Sequence, residues 1–473
     1  MTMLEIILKG HEKYYCVSDV VRLFYDDLSE DRDRQRVTAG TGPDVTLVCS
    51  LAPDGRSITT YGGKSFIPEG DPIEAGREIR RSLYLAMCEL AGRTMPWGCL
   101  TGIRPTLVAY EEKTPANLME RYYVSPDKAE LACRTAEEEL RLTELIPEED
   151  INIYVGIPFC PTRCSYCSFI SQDISHHMNR LTAYGQALES EIRLLAPKIN
   201  RRVSSLYVGG GTPTVLPDAE FASLLDCIYG SISIDDRCEV TIEAGRPDTI
   251  TENKLLAMRE HGITRICINP QTMNSDTLAK LNRKHTADDI VRVYEQAKAM
   301  GFESVNMDLI AGLPYETAED FIKSLEKVME LAPANITIHT LYKKRRAELS
   351  KETVLDREES RGSLAEAVAE GYKMLDVAGY HPYYMYRQKD TGHGLENTGF
   401  AKGDTGCIYN VAMMTDMRDV LSFGAGSSSK RCFRQEGEEY KRRVERCFTT
   451  KNAIEYINDY AKAAQKKAEF FGL

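Results

Sequence analysis

The spacing of apolar and polar positions changes character along this chain. From residue 151, short runs of β-branched and aliphatic residues alternate with stretches whose apolar positions recur at helical period. The runs predict strands at Ile151–Val155, Ser205–Val208, Glu239–Ile242, Arg265–Ile268, Ser304–Leu309 and Asn335–Thr340. The stretches between predict helices at about Ser175–Leu195, Asp218–Tyr229, Thr251–His261, Ala287–Met300 and Ala318–Leu331. Six strands alternating with helices imply parallel βα units. The expected fold is α/β, a partial (β/α)6 barrel over residues 151–345.

The flanks follow other rhythms. Residues 1–150 predict an N-terminal α+β accessory domain, with a strand at Leu4–Leu8 and Val45–Leu51 pairing with Ser57–Tyr61 across Ala-Pro-Asp-Gly. Helices are expected there at about Ala75–Leu90 and Ser125–Leu140. Between them, Trp97 to Pro105 is glycine-rich and reads as a packed turn or as a docking loop. Residues 346–473 predict a C-terminal mixed domain that caps the substrate. It should contain a helix at Glu358–Ala378, an aromatic strand from Gly379 to Gln388, a strand from Val420 ending in a Gly/Ser turn at Ser428, and a last helix at Asn452–Phe470.

Composition narrows the class. The chain has 473 residues, 42% hydrophobic and 27% charged, as an ordinary globular protein of two or three domains does. A net charge of −12 argues against a general nucleic-acid surface. No apolar run reaches the roughly 20 residues of a membrane span, and the N-terminus lacks signal-peptide architecture. The expectation is therefore a cytoplasmic chain with reduced thiols. Eleven of its fourteen cysteines (Cys16, Cys49, Cys88, Cys99, Cys133, Cys227, Cys238, Cys267, Cys407, Cys432 and Cys447) read as small core residues.

The other three carry chemistry. Cys160, Cys164 and Cys167 lie on one loop, spaced CxxxCxxC, just after the first barrel strand. Thiolates so spaced can each hold a different iron of a [4Fe–4S] cube, leaving one iron open, whereas an electron-transfer cluster takes four cysteines. Structural zinc prefers two separated pairs. After the second strand comes Gly209-Gly-Gly-Thr-Pro-Thr214, a turn whose backbone can approach a ligand closely. Glu243, Gln271, Arg283 and Asp308 fall at or just after strand ends, where parallel barrels place their sites. Carboxylates there can grip ribose hydroxyls, and Arg can pair with a carboxylate. Lys343-Lys-Arg-Arg346 sits where anionic groups could be held. His176, His177, His285, His339 and His393 lack the neighbours of a metal site and read as non-ligands.

These segments together resemble the radical S-adenosylmethionine (SAM) superfamily. Within it the chain is similar to the oxygen-independent coproporphyrinogen III oxidase group, of HemZ type. The resemblance rests on Tyr154 to Phe169, Gly209 to Thr214, Asn269 to Met273, Asn282 to Thr286, Asp308 to Pro314, Tyr384 to Lys389, Leu395 to Asn397 and Phe423 to Gly426. Leu100-Thr-Gly-Ile-Arg-Pro105 adds to it in the N-terminal domain. It implies that Cys160, Cys164 and Cys167 bind the cluster and that SAM chelates the fourth iron. It implies SAM contacts at Tyr154, Gly210, Glu243, Gln271, Arg283 and Asp308. Tyr166, Gly211 and Thr212 match a second SAM or substrate site, so one or two SAM molecules are implied. The implied activity is oxidative decarboxylation of two propionates of coproporphyrinogen III by a 5′-deoxyadenosyl radical, giving protoporphyrinogen IX. The implied partners are an anionic tetrapyrrole and a small electron donor of flavodoxin or ferredoxin type. Arg163, Lys344, Arg346 and Arg387 are candidates, on charge alone, for the propionates. The oxidases proper carry a fourth cysteine two residues after the triplet. Here that position is Phe169, as in related haem chaperones, so a haem chaperone and a haem-opening radical SAM enzyme stand as alternatives.

Overall fold

The computed structural model describes residues 3–25, 27–41, 44–167, 169, 171–174, 178–341, 358–388 and 394–473. The chain divides into two compact units. One is Met1–Ala136 with Tyr386–Glu396, the other Glu137–Met385 with Asn397–Leu473.

The first unit is a six-stranded sheet with helices. Its strands are β1 (Met3–Lys9), β2 (Leu28–Asp31), β3 (Arg36–Ala39), β4 (Asp44–Leu51), β5 (Ser57–Tyr61) and β6 (Lys64–Phe66), in the order β2-β3-β1-β4-β5-β6. The expected hairpin is there, with Val48 opposite Thr60 and Leu51 opposite Ser57. Helix α1 (Tyr14–Val21) and strands β2, β3 and β6 have patterns too short to read from sequence. Alternation places Leu4, Ile6 and Leu8 of β1 in the core. Helix α2 (Ala75–Ala91) starts at Glu74, whose carboxylate accepts from the Gly76 and Arg77 amides. Helices α3 (Pro105–Glu112) and α4 (Pro115–Tyr122) both begin on proline, which suits a position needing no amide bond. Trp97 is buried, and its indole donates to Glu396 at 2.8 Å.

Helix α5 (Pro126–Glu144) leads to the second unit. The parallel strands are β7 (Ile151–Ile157), β10 (Val203–Gly210), β11 (Glu239–Gly245), β12 (Arg265–Ile268), β13 (Ser304–Ala311) and β14 (Asn335–Thr340). Two short strands, β8 (Phe159–Cys160) and β9 (Gln172–Asp173), pair beside them. The helices between are α6 (Met178–Leu195), α7 (Asp218–Ser231), α8 (Glu252–Glu260), α9 (Ser275–Lys280), α10 (Ala287–Ala299) and α11 (Ala318–Leu331). Thr286 with Asp289 and Thr317 with Asp320 close capping boxes on α10 and α11. Such a cap is worth about 1 kcal/mol. The six strands lie in sequence order, as a partial barrel requires.

The sheet extends past both edges. After helix α12 (Glu358–Val377), strands β15 (Tyr380–Arg387) and β16 (Glu396–Lys402) continue from β14, with β16 antiparallel to it. At the other edge β17 (Val420–Phe423) runs parallel to β7, followed by β18 (Ser428–Gln435) and β19 (Glu438–Phe448). The C-terminal region thus joins the barrel's own sheet.

Helix α13 (Ile408–Thr415) and the residues before it plug the lower end of the barrel. Arg265 and Asn335, the first residues of β12 and β14, donate to the Thr405 carbonyl at 2.8 Å. Glu239, the first residue of β11, accepts from the Tyr409 amide and the Cys407 thiol. The last helix, α14 (Ala453–Phe471), is tied to α6 by a buried pair. Lys467 Nζ lies 2.6 Å from Glu191 Oε1, while Tyr456 and the Gly424 amide bond its other oxygen. No helix among the described residues is long and apolar enough to cross a membrane. The fourteen cysteines form no disulfide among those residues, and most outside the triplet are buried.

Candidate metal and cofactor site

In five of the six barrel strands an interior position is partly exposed within an otherwise largely buried run. Those positions are Tyr154 on β7, Tyr207 on β10, Glu243 on β11, Asp308 on β13 and His339 on β14. Strand alternation turns these side chains inward, and their partial exposure traces an open interior. Register sets Tyr154 beside Tyr207. Tyr409 of α13 rises from the plug to stack on both, at 4.7 Å from Tyr207 and 6.0 Å from Tyr154 between ring centroids.

The acids face each other across this interior. Burial pushes the Glu243 carboxyl up to about 8, and the nearby Asp308 charge adds to the rise. Its compensating donors are the Gly210 amide at 3.4 Å and Tyr207. Gly209 makes room for it, since a Cβ there would sit 2.6 Å from Glu243 Oε2. Burial would also raise Asp308, but hydrogen bonds from His339 and Asn306 hold it below the usual carboxylate range. Asn306 donates at 2.7 Å.

Gln271 pairs with Leu309 in an isolated parallel bridge beside Asp308. Its amide donates to the Asp308 carbonyl at 2.8 Å, and its carbonyl accepts from Ile310 at 2.9 Å. It adopts φ 69°, a left-handed conformation that non-glycine residues rarely take. Two ladder bonds hold it there.

The glycine turn admits the cysteine loop. The Gly211 and Thr212 amides donate to the Ile157 and Phe159 carbonyls at 2.8 and 2.7 Å. A Cβ at Gly211 would collide with the Phe159 carbonyl at 2.4 Å. The turn's first task is therefore to pack backbone on backbone.

Hydrogen bonds to the segment around Asn282 shape the cysteine loop. Thr162 donates to the Asn282 carbonyl at 2.8 Å, and the Asn282 amide group donates to the Arg163 carbonyl at 2.9 Å. The Ser165 amide donates to the Leu281 carbonyl at 3.3 Å. Donors surround the sulfurs. Thr212 lies 3.6 Å from Cys160 Sγ. Arg246 and Arg283 lie 3.9 and 3.8 Å from Cys164 Sγ. The Phe169 amide bonds Cys167. Burial pushes the Cys167 thiol up to about 11, with Cys164 and Cys160 adding to it. Arg283 also reaches the Tyr166 hydroxyl at 3.1 Å and the Asn269 carbonyl at 2.6 Å.

The residues singled out from sequence as cluster and SAM positions thus meet at one end of one barrel. Sequence reasoning missed Tyr207, Arg246, Asp248 and Tyr409. Tyr207 had a signal, a second tyrosine at the register of Tyr154. Arg246 follows Glu243 by three residues but looks like a plain loop cation. Nothing local marks Tyr409. His285 and His339 are hydrogen-bonded to Asp248 and Asn397. Arg387 is a correction. It belongs to the first unit, where it is buried, lies over the Trp97 ring and donates to the Leu100 and Gly394 carbonyls. Its guanidinium fixes backbone instead of facing a propionate. Lys343 to Arg346, His176, His177 and His393 lie outside the described residues.

Comparison with known proteins agrees. Residues 154–328 match the radical SAM superfamily. The oxygen-independent coproporphyrinogen-III oxidase-like protein HemZ of Bacillus subtilis is 32% identical over 450 residues, 89% of each chain. The chain belongs to the radical SAM superfamily, HemZ type. The heme chaperone HemW of Haemophilus influenzae is 28% identical over 300 residues, 60% of this chain and 71% of that protein. The solved coproporphyrinogen III oxidase HemN of Escherichia coli shares the fold, with a TM-score of 0.53 and 23% identity over 70% of this chain and 73% of its own.

Radical SAM membership implies a [4Fe–4S] cluster and SAM. The residues present fit both. Three partly exposed thiols share one loop, ringed by N–H and O–H donors that suit an anionic cluster. Among the described residues no three His, Cys, Asp or Glu side chains gather as ligands to a single ion. Thiolates that each take a different iron of a cube have no need to.

Proposed function

We propose that this protein decarboxylates two propionate side chains of coproporphyrinogen III to vinyls, giving protoporphyrinogen IX. The observation that carries this reading is the match to the coproporphyrinogen-III oxidase-like HemZ along 89% of the chain. Cys160, Cys164 and Cys167 hold the cluster. Tyr154, Gly210, Glu243, Gln271, Arg283 and Asp308 hold SAM, and Tyr166, Gly211 and Thr212 face a second SAM or the substrate. When bound and reduced, cluster and SAM together supply a 5′-deoxyadenosyl radical, the cofactors' own chemistry.

The chain's residues orient and enclose. Glu243, as carboxylate, receives a cationic amino group, and Asp308 accepts from hydroxyls. Arg283 steadies the loop through Tyr166 while keeping its charge near the sulfurs. The tyrosine stack closes the interior from below and excludes water. From each propionate the reaction removes one hydrogen atom, CO2 and one electron. The electron passes to an external acceptor, and a flavodoxin- or ferredoxin-type partner supplies the electron that starts each cycle.

A second reading, haem chaperone, is favoured by Phe169. It occupies the place of the oxidases' fourth cysteine and is 70% exposed. One anaerobic experiment separates them. Reconstituted protein receives SAM, a low-potential reductant and coproporphyrinogen III, with haem in a parallel reaction. A three-propionate intermediate followed by protoporphyrinogen is the expected product series. Stable haem binding without turnover would establish the chaperone, and a linear tetrapyrrole formed from haem would establish a ring-opening enzyme.

A further inference from the structure

Arg246, Asp248 and His285, which the reaction above does not use, close a hydrogen-bonded cycle with Arg283 around Cys164. Arg246 forks onto Asp248, with Nε 3.0 Å from Oδ1 and Nη2 2.9 Å from Oδ2. Asp248 Oδ1 lies 3.1 Å from His285 Nδ1. His285 Nε2 accepts from Arg283 Nε at 3.4 Å. From its two ends the cycle sends one guanidinium nitrogen each to Cys164 Sγ, at 3.9 Å from Arg246 and 3.8 Å from Arg283. The donors are consistent around the ring if His285 is neutral with its proton on Nδ1. Burial does hold this imidazole below its ordinary value.

The charges leave a remainder. Two guanidiniums, one carboxylate and a neutral imidazole sum to one positive charge, with both arginines and the histidine buried. Burying a cation is costly unless something anionic uses it. Asp248 matches one guanidinium. The surplus faces Cys164 Sγ, the acceptor that both guanidiniums share. Arg246 also donates to the Thr162 carbonyl at 3.2 Å and hydroxyl at 2.8 Å, so it grips the same loop at two residues.

We propose that Arg246 is a positioning residue for Cys164, and that its charge makes a cluster held there easier to reduce. Hydrogen bonds to cluster sulfurs and net local charge set such potentials. Reduction adds a negative charge, which a fixed cation stabilises. Asp248 locks the guanidinium plane, and His285 passes that orientation on to Arg283, so both donors meet the sulfur in fixed geometry. The proposal rests on the assignment of the three cysteines as iron ligands.

The test uses full-length protein, reconstituted anaerobically without substrate, and reads iron and sulfide content and an EPR-monitored redox titration. Arg246→Gln is expected to load iron and to be harder to reduce by about tenfold in the equilibrium constant, 59 mV for a one-electron couple. Arg246→Lys keeps the charge and should titrate with the parent. A loaded Arg246→Gln variant with the parent's potential overturns the proposal. If Arg246→Gln does not load, the lysine variant decides. Loading at the parent's potential supports the role of charge, and failure to load or a lowered potential overturns it. Failure of the parent to take up iron and sulfide would instead refute the ligand assignment, and the proposal with it.

Discussion

The two sides of the barrel mouth are built from opposite charges and solve opposite problems. On the sulfur side, Arg246 and Arg283 converge on Cys164, each buried and each braced by further partners. On the acid side, Glu243 faces Asp308 with fewer donors than its burial demands and holds a proton up to about pH 8, whereas hydrogen bonds hold Asp308 below its ordinary range. The sulfur side is preorganised for an anion. The acid side is poised to lose a proton when a cation arrives. The proposed SAM, which carries both a carboxylate and an ammonium group, would meet one partner on each side. A single-charge ligand would leave one side uncompensated.

The largest expected effect breaks the sulfur side outright. Cys160→Ala should reduce iron and sulfide to background after reconstitution, and an unchanged content would refute the cluster assignment. The next sharpens the acid side by contrast with Glu191, a buried carboxylate whose partners are complete. Removing Lys467 there leaves an uncompensated charge, so Lys467→Met should cost about 3–5 kcal/mol in denaturant unfolding. A loss below about 1 kcal/mol would show that the α6–α14 pair is not holding the terminal helix. Third, Glu243→Gln keeps the shape and removes the charge. Hydrogen bonds to charged groups are worth about 1.5–3 kcal/mol. SAM affinity should then fall roughly thirtyfold in anaerobic calorimetry on reconstituted protein. Equal affinity would place the amino group elsewhere.

Per pH unit, the smallest effect is a slope. The Glu243 carboxyl is raised from 4.5 to about 8, so between those values the folded chain keeps a proton that the unfolded chain has released. This contribution is present at low pH and is lost as pH rises toward 8. Asp308 is shifted the other way, and its contribution is lost only as pH falls through the acid range below its ordinary 3.8. The stability difference between parent and Glu243→Gln should therefore shrink with rising pH from about 4.5 to 8, by at most about 1.4 kcal/mol per unit. A flat difference across that window would mean that Glu243 is ionised in the free protein.

Legibility differed between elements for local reasons. The six βα units were readable because each strand and helix carries its own period, and β12, β14 and α11 begin and end where that period does. Strands β2, β3 and β6 were not, because three or four residues hold too little pattern. The placement of β17 beside β7 was also unreadable, since parallel pairing across 268 residues leaves no local trace. Charge logic nominated Arg387 for a substrate carboxylate. Burial against Leu100 and Trp97 gave it another task, one that depends on neighbours almost 300 residues away.

The candidate ligand types and their spacing belonged to the sequence alone. Three thiols on one loop after a strand, with Glu243 and Asp308 on later strands and Gln271 and Arg283 in the segment after β12, are set by covalent order and by the rule that parallel barrels gather their strand ends. Tertiary structure alone decided the charge environment. The Arg246–Asp248–His285–Arg283 cycle, the raised Glu243 proton and the intrusion of Tyr409 each join segments distant in sequence. Their strengths depend on distances of 3–4 Å and on exclusion of water, which no local pattern encodes.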